Sequence, residues 1–136
     1  MKIRLAKIEE LESVHFLDSH ITLDMLRKCI ENEQEFVLLN EEDKIVAVLR
    51  YTMFWQSIPF LDLIFIIDEY RNKGYGRKMM KYWEEKMKLL GYKYVMTSTQ
   101  ADETAFTFYE RLGYEKTGAF YPPDQTAEEL IYLKGI

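Results

Sequence analysis

The feature that most restricts the fold is a strand–helix–strand pattern in the middle of the chain. Residues 60–67, FLDLIFII, contain a single charge and predict a central strand covered on both faces. Residues 77–90 predict a helix with one apolar face, and Gly91 predicts where it ends. Residues 93–99, KYVMTST, predict a second strand, which a right-handed crossover makes parallel to the first. The apolar face of the helix consists of Tyr75, Met79, Trp83, Met87 and Leu90.

Alternating and helical patterns predict the remaining elements. Strands are predicted at residues 1–7, 35–40, 44–54, 114–120 and 128–134. Helices are predicted through Ile8, Leu11, Val14 and Leu17, after an N-cap at Thr22, and over residues 103–112. These elements indicate the α+β class, with a mixed, mostly antiparallel sheet of about seven strands and helices on both faces. We expect a single domain, residues 1–136.

The charge and cysteine content weigh against several classes of function. A net charge of −5 disfavours nucleic acid as a partner, because phosphate binding requires a basic surface. Cys29 is the only cysteine, so no internal disulfide forms, and its place on an apolar helix face indicates a core position. The only histidines are His15 and His20, which with one cysteine are too few for a structural zinc site, so we expect no metal. The sequence shows no signal peptide and no membrane span, so we expect a cytoplasmic protein.

The loop between the central strand and its helix has the composition of an anion site. In YRNKGYG, residues 70–76, Gly74 and Gly76 allow a ligand to approach the backbone, and the helix start presents unpaired N–H groups. Mobile positive charge around this site is added by Arg71, Lys73 and Arg77. The loop therefore predicts a diphosphate cradle, or else a tight turn with solvated cations. No Walker loop is present, and Met79 replaces the third glycine of the dinucleotide fingerprint.

Two separated motifs resemble the GNAT family of N-acetyltransferases. Arg71, Gly74 and Gly76 fit its pyrophosphate-binding motif, [RQ]-x-x-G-x-[GA]. Residues 102–114, DETAFTFYERLGY, are similar to its segment N-x-x-A-x-x-x-Y-x-x-x-G-F. The matching residues are Ala105, Tyr109 and Gly113, with Tyr114 in place of the Phe. The predicted order of elements is also that of the family, so the resemblance covers nearly the whole chain and implies a GNAT-like sheet.

The resemblance implies acetyl transfer from acetyl-coenzyme A, a co-substrate, to a primary amine of a small molecule or peptide by direct attack. The backbone of residues 66–68 is expected to contact the pantetheine arm, and the amides of residues 71–77 the diphosphate. The cofactor contacts implied are Ile66, Ile67, Asp68, Arg71, Asn72, Lys73, Gly74, Tyr75, Gly76, Arg77, Asp102, Ala105 and Phe108. Asp102 stands where the family commonly has Asn, and it is alternatively an N-cap.

Two residues are candidates for proton transfer. Tyr109 is the expected general acid, because an unperturbed phenol, with a pKa of about 10, is protonated at neutral pH. Asp62 is the candidate base, because a charge within an apolar strand is costly, although pairing with a cation would also explain it. Glu69 lies beside the loop and is expected to be solvated. Ordered water is the remaining alternative for the base.

The acceptor and the class of function keep alternatives open. Phe54, Trp55 and Phe60 are expected either to line an amine-stacking pocket or to pack as ordinary core. A non-catalytic coenzyme A-binding sensor would keep the loop and lose the acid. An interaction domain would use the loop only as a turn. A toxin component acting on tRNA is disfavoured by the acidic charge. Exposed strand edges are compatible with a monomer or a homodimer.

Overall fold

The computed structural model describes residues 1–136, which form seven strands, four α-helices and two short 3-10 turns. The 3-10 turns are Ile8–Glu10 and Asp68–Tyr70. The α-helices are α1 (Leu11–Leu17), α2 (Leu23–Glu31), α3 (Tyr75–Leu89) and α4 (Ala105–Arg111). The strands are β1 (Lys2–Leu5), β2 (Glu35–Leu39), β3 (Ile45–Phe54), β4 (Ile58–Ile66), β5 (Tyr94–Gln100), β6 (Glu115–Phe120) and β7 (Glu129–Gly135). None of the helices is both long and apolar enough to cross a bilayer.

The strands form one mixed sheet in the order β1-β2-β3-β4-β5-β7-β6. β4 and β5 are parallel, with Phe60 opposite Met96 and Leu61 opposite Thr97. The pairs β1–β2, β2–β3, β5–β7 and β6–β7 are antiparallel. The predicted class, a mostly antiparallel seven-stranded sheet with one parallel strand–helix–strand unit, is confirmed.

The contacts within the chain divide it into two compact units, and the first comprises residues 1–52 and 62–83. Side chains alternate along a strand, so Phe36 and Val37 of β2 lie on opposite faces. Val37 belongs to an apolar cluster with residues of α1 and α2. Phe36 contacts Tyr82 of α3, with 5.7 Å between ring centroids. The helices of this unit therefore cover both faces of its strands, as the pattern predicts.

The second unit comprises residues 53–61 and 84–136. Its strands β5, β7 and β6 are consecutive in the sheet, and β7 pairs along most of its length with both neighbours. A partly buried ion pair connects α3 to β7, since the Lys134 ammonium lies 2.7 Å from a Glu84 oxygen. The Tyr114 hydroxyl donates to the other Glu84 oxygen at 2.7 Å, so both oxygens of this buried carboxylate have partners.

Two local signals for helix ends, at Thr22 and Gly91, are confirmed, and two burial predictions are wrong. Thr22 accepts a hydrogen bond from the Met25 amide, as an N-cap does, and Gly91 ends α3 with a φ of +97°. Leu90, predicted to belong to the apolar face of the helix, is exposed because the chain turns immediately after it. Within β4, residues 63–66 are only half-buried, although the sequence predicts coverage on both faces.

Candidate active site

The predicted cradle is an exposed loop of the first unit that enters α3. A 3-10 turn at Asp68–Tyr70, which the sequence did not predict, separates it from β4. Asn72 has a φ of 59° and Gly74 a φ of +85°, so two residues of the loop have left-handed backbone conformations before the helix begins. A Cβ atom at Gly74 would have no neighbour within 4 Å, so the space beside its backbone is open. A ligand can therefore approach the peptide groups at this position.

Helix α3 presents its amino end to this open space. The earliest intrahelical bond runs from the Lys78 amide to the Gly74 carbonyl at 3.2 Å. The amides of Tyr75, Gly76 and Arg77 precede it and have no intrahelical acceptor. In a helix of 15 residues, the dipole adds about half a positive charge at this end. The donors and the field both suit a diphosphate, so the geometry fits the predicted group.

The Arg71 side chain is held in place, whereas the sequence predicts a mobile cation. Its Nε donates to the Ile66 carbonyl at 2.7 Å, and its Nη1 lies 2.8 Å from Asp68. The guanidinium also lies over the ring of Phe65, 5.2 Å from its centroid. Arg71 therefore ties the loop to the end of β4, since three separate contacts fix its position. The other exposed cations of residues 70–77 are Lys73 and Arg77, and the Lys73 ammonium lies 5.8 Å from the centroid of the Tyr70 ring.

The backbone predicted to hold the pantetheine arm is partly engaged within the fold. The Ile67 amide donates to the Val46 carbonyl at 3.0 Å, which makes it a sheet donor. The Ile66 carbonyl already accepts from Arg71. A carbonyl oxygen has two lone pairs, so the Ile66 group retains capacity for a second donor. The pantetheine arm can therefore contact only those backbone groups of residues 66–68 that keep hydrogen-bonding capacity within the fold.

Asp62 lies in a hydrogen-bonded cluster of the first unit. Its Oδ2 accepts from Nη1 of Arg50 at 3.2 Å, and its Oδ1 from the Thr52 hydroxyl at 3.1 Å. Arg50 also holds Asp18, which follows α1, through Nε at 2.8 Å and Nη2 at 3.3 Å. Burial, the main cause, and repulsion by Asp18 raise the pKa of Asp62 above its ordinary value, while Arg50 and Thr52 oppose the rise. The predicted pairing with a cation is thus present, and Asp62 keeps the affinity for protons that a base needs.

Glu35 completes this cluster and was missed from the sequence. It is the strand partner of Arg50 in the β2–β3 ladder and is 0% exposed. Neither of its carboxyl oxygens accepts a hydrogen bond, and its contact with Asp18 is a hydrogen bond only while Glu35 carries a proton. Burial, assisted by repulsion from Asp18, raises the pKa of Glu35 to about 9, so the group is neutral at pH 7. The available signal was an acid at the first position of the otherwise apolar stretch EFVLL.

Tyr109 lies on α4 in the second unit and is 7% exposed. Burial is the main cause that raises its pKa to about 12, and the charge of Glu103 contributes. A contact with Thr97 opposes the rise, but the Thr97 hydroxyl donates its one hydrogen to the Leu61 carbonyl at 3.2 Å. That hydroxyl can therefore accept from Tyr109 but not donate to it. The phenol keeps its proton at neutral pH, as a general acid must.

The other predicted cofactor residues of this second unit surround the start of α4. Ala105 is its first residue, and the Phe108 ring lies edge-on to Tyr109 with 5.3 Å between centroids. Asp102 is exposed and lies outside the helix, whose N-cap is Thr104. The alternative assignment of Asp102 as an N-cap is wrong, because two residues separate it from the first helical position.

The aromatic residues predicted near the acceptor stack at the turn between β3 and β4, in the second unit. The rings of Phe54 and Trp55 have centroids 4.8 Å apart, and those of Phe54 and Phe60 lie 6.3 Å apart. Trp55 is 80% exposed and has a φ of 55°, as does Gln56. The Ser57 amide closes this two-residue turn on the Phe54 carbonyl at 3.0 Å. A left-handed tryptophan carries backbone strain, since asparagine and glycine favour such turns.

Comparison with solved structures shows the same fold in several acetyltransferases. An Escherichia coli ribosomal-protein-S18-alanine N-acetyltransferase has a TM-score of 0.83 at 16% identity, over 99% of this chain and 93% of that one. The NatB acetyltransferase complex bound to coenzyme A and MES gives 0.85 at 10% identity, over 100% and 99%. A chimeric spermidine N-acetyltransferase from Vibrio cholerae and hSSAT gives 0.79 at 14% identity, over 99% and 96%.

Sequence comparison gives the family. No curated protein sequence matches the chain. The model of the acetyltransferase (GNAT) family matches residues 5–114, a span that begins in β1 and ends after α4. This span includes the loop before α3 and the α4 segment, so it contains both motifs on which the resemblance was based. The chain therefore belongs to the acetyltransferase (GNAT) family.

Proposed function

We propose that this protein transfers the acetyl group of acetyl-coenzyme A to a primary amine. The observation that carries the proposal is the open backbone at Gly74, where a positive φ and free space meet the amino end of α3. The amides of Tyr75, Gly76 and Arg77 bind the diphosphate, and Lys73 and Arg77 add charge. The backbone of residues 66–68 contacts the pantetheine arm, and Asp102, Ala105 and Phe108 contribute from around α4.

Asp62 and Tyr109 move the protons of the reaction. The bound co-substrate supplies an acetyl thioester. Asp62 takes one proton from the acceptor ammonium, and the freed nitrogen lone pair forms the new C–N bond. Tyr109 gives its Oη proton to the sulfur as the C–S bond breaks, and the second proton lost by nitrogen restores the phenol. Asp62 then releases its proton to water, so the reaction yields an amide, a free thiol and one proton.

The charge around Asp62 favours an acceptor that arrives as a cation. Asp18 and Asp62 share the single guanidinium of Arg50, so with Glu35 neutral this cluster carries a net negative charge. Opposite charge raises the local concentration of an ammonium. Among proteins of the same fold, one is named for a ribosomal-protein alanine and another for spermidine. We therefore propose a small-molecule or peptide amine and test both kinds.

Acetyl-coenzyme A binding by calorimetry is the first test, with two matched variants. Gly74→Glu places a carboxylate in the cradle, and we expect affinity to fall at least tenfold, about 1.4 kcal/mol. Gly91→Glu is the control, because Gly91 also has a positive φ, +97°, with no atom within 4 Å of a Cβ. Equal loss in both variants, or no binding by the wild type, would contradict the proposed cofactor site.

An amine panel then separates an enzyme from a coenzyme A-binding sensor. Spermidine, an aminoglycoside, a free amino acid, and peptides with an amino-terminal alanine or an internal lysine are offered as acceptors. Thiol release is followed with a chromogenic thiol reagent, against a blank without amine. Amine-dependent release supports the transferase. Tight binding with no release for any acceptor favours the non-catalytic module.

A further inference from the structure

The charged cluster of the first unit consists of Asp18, Glu35, Arg50 and Asp62, and the exposure of these side chains increases from the first two to Asp62. Asp18 and Glu35 are both 0% exposed. The Arg50 side chain is 13% exposed and the Asp62 side chain 22% exposed. Arg50 therefore connects a carboxylate that no ligand can reach to one that a ligand can reach. Sequence separates these residues widely, since Arg50 lies 32 positions from Asp18 and 12 from Asp62.

The contacts of Arg50 are unequal. Two of its nitrogens, Nε and Nη2, are directed at the two oxygens of Asp18, at 2.8 and 3.3 Å. Only Nη1 reaches Asp62, at 3.2 Å. Such a bidentate pair fixes the plane of the guanidinium, because both partners are planar and forked. The direction of Nη1, and with it the direction of the Asp62 carboxylate, is set by the buried pair.

Asp18 and Asp62 compete for one positive charge. Four titratable groups from different elements interact with Asp62: Arg50 on β3, Asp18 after α1, Glu35 on β2 and Cys29 on α2. Glu35 is neutral at pH 7, and burial raises the pKa of the Cys29 thiol, so neither is charged there. Between pH 5 and 8 the field at Asp62 thus comes from Arg50 and Asp18.

We propose that Arg50, clamped by Asp18 and shared with Asp62, is a positioning residue that sets the orientation and the proton affinity of the Asp62 carboxylate. The role of Asp62 as base rests on the proposed function. A carboxylate paired with an undivided cation would be a weaker base, and one with no cation would be held by Thr52 alone. Sharing keeps Asp62 oriented by Arg50 and Thr52 and still able to accept a proton.

A carboxyl titration tests the sharing without any assay of activity. The Asp62 carboxyl carbon is followed by carbon-13 NMR in the wild type and in Asp18→Asn. Removing the competing charge leaves Asp62 as the only charged acceptor of Arg50, so we expect the Asp62 pKa to fall by about one unit. An unchanged or raised Asp62 pKa in the folded variant overturns the proposal. If the wild type acetylates no amine, the proposed function fails, and this titration still decides whether Arg50 is shared.

Kinetics test the positioning. Arg50→Lys keeps the charge and loses the planar fork, so we expect kcat to fall about tenfold or more with KM for acetyl-coenzyme A unchanged. Arg4→Lys is the matched control, since Arg4 makes another bidentate pair, with Glu10, in the same unit. Asp18→Asn should move the acidic limb of the kcat/KM profile to lower pH, which simple loss of stability would not do.

Two results of these kinetic experiments would overturn the proposal. If Arg50→Lys keeps kcat within about twofold of the wild type, as Arg4→Lys should, positioning by Arg50 is overturned. Circular dichroism shows whether Arg50→Lys folds. If it does not, Asp18→Asn decides alone, because it retains an isosteric acceptor for Arg50, and an unmoved acidic limb then refutes the proposal.

Discussion

Single side chains carry the proposed proton transfers, and their surroundings tune them in different ways. Tyr109 is buried, and its pKa of about 12 keeps the phenol protonated well above neutral pH. Asp62 is partly accessible, and burial, assisted by repulsion from Asp18, raises its pKa above that of an ordinary aspartate. Tyr109 is therefore suited to donate a proton and Asp62 to accept one, a division of roles typical of acid–base catalysis.

We predict that Tyr109→Phe lowers turnover by about 10²–10⁴-fold, because the departing thiolate loses its proton donor. Calorimetry should give nearly unchanged binding of acetyl-coenzyme A, since the ring remains. The control is Tyr94→Phe, which removes the hydroxyl of an exposed tyrosine on β5. Wild-type turnover in Tyr109→Phe at saturating substrates would remove this residue from the mechanism.

The ionisation of Tyr109 also predicts a pH profile. Because its pKa is about 12, the acid form persists on the alkaline side. We expect no loss of kcat from phenol ionisation up to about pH 11. A fall in kcat near pH 9 that is present in the wild type and absent from Tyr109→Phe would contradict the burial of the phenol. Rates are compared over the range in which circular dichroism shows the protein folded.

Among secondary-structure elements, helix starts show that residue type and geometry must both be known. Thr22 and Thr104 are both N-caps, and either would be accepted from sequence as a good cap. The Thr22 hydroxyl accepts from the Met25 amide at 3.2 Å. Thr104 makes no side-chain cap bond, because its backbone is already in the right-handed helical region with a φ of −83°.

This difference gives a prediction about stability. Thr22→Ala should lower the free energy of unfolding by about 1 kcal/mol, because the Met25 amide loses its acceptor. Thr104→Ala, the matched control, should change it by less than about 0.5 kcal/mol. Urea unfolding at pH 7 measures both. Equal losses would show that the cap bond of Thr22 contributes nothing specific.

At the scale of the whole protein, we expect the buried Glu35 to make the main contribution to the pH dependence of the free energy of unfolding. Its pKa rises from 4.5 to about 9 on folding, so the folded state binds a proton that the unfolded state releases. The contribution of Glu35 to the free energy of unfolding is fully present below pH 4.5 and is lost as pH rises towards 9. The slope is at most about 1.4 kcal/mol per pH unit.

We predict that Glu35→Gln removes this slope, because an amide does not ionise. Urea unfolding of wild type and variant between pH 5 and 9 should give a difference that grows in favour of Gln as pH rises. The control is Glu31→Gln, an exposed glutamate of α2, which should leave the slope of the wild type unchanged. Parallel curves for wild type and Glu35→Gln would show that Glu35 does not hold a proton in the folded protein.

The order of elements, the parallel pair and the family follow from short patterns in the chain. FLDLIFII predicts a strand because seven of its eight residues are apolar, and Gly91 predicts a helix end because glycine accepts a positive φ. The loop at residues 70–76 predicts an anion site because its glycines and the helix start are adjacent in sequence. Each of these signals acts over a few residues, so no knowledge of the folded chain is needed to recognise them.

The environment of each candidate residue depends instead on groups that are distant in sequence. Asp62 gave no sign of its link to Asp18, because that link requires Arg50 to meet a helix end 32 positions away. Arg71 was expected to be mobile, yet the 3-10 turn brings Asp68 and the Ile66 carbonyl within its reach. Periodicity fixes which face a residue occupies, but strand register and burial fix its partners and its local dielectric. These last two set the pKa values, and therefore the chemistry, of the site.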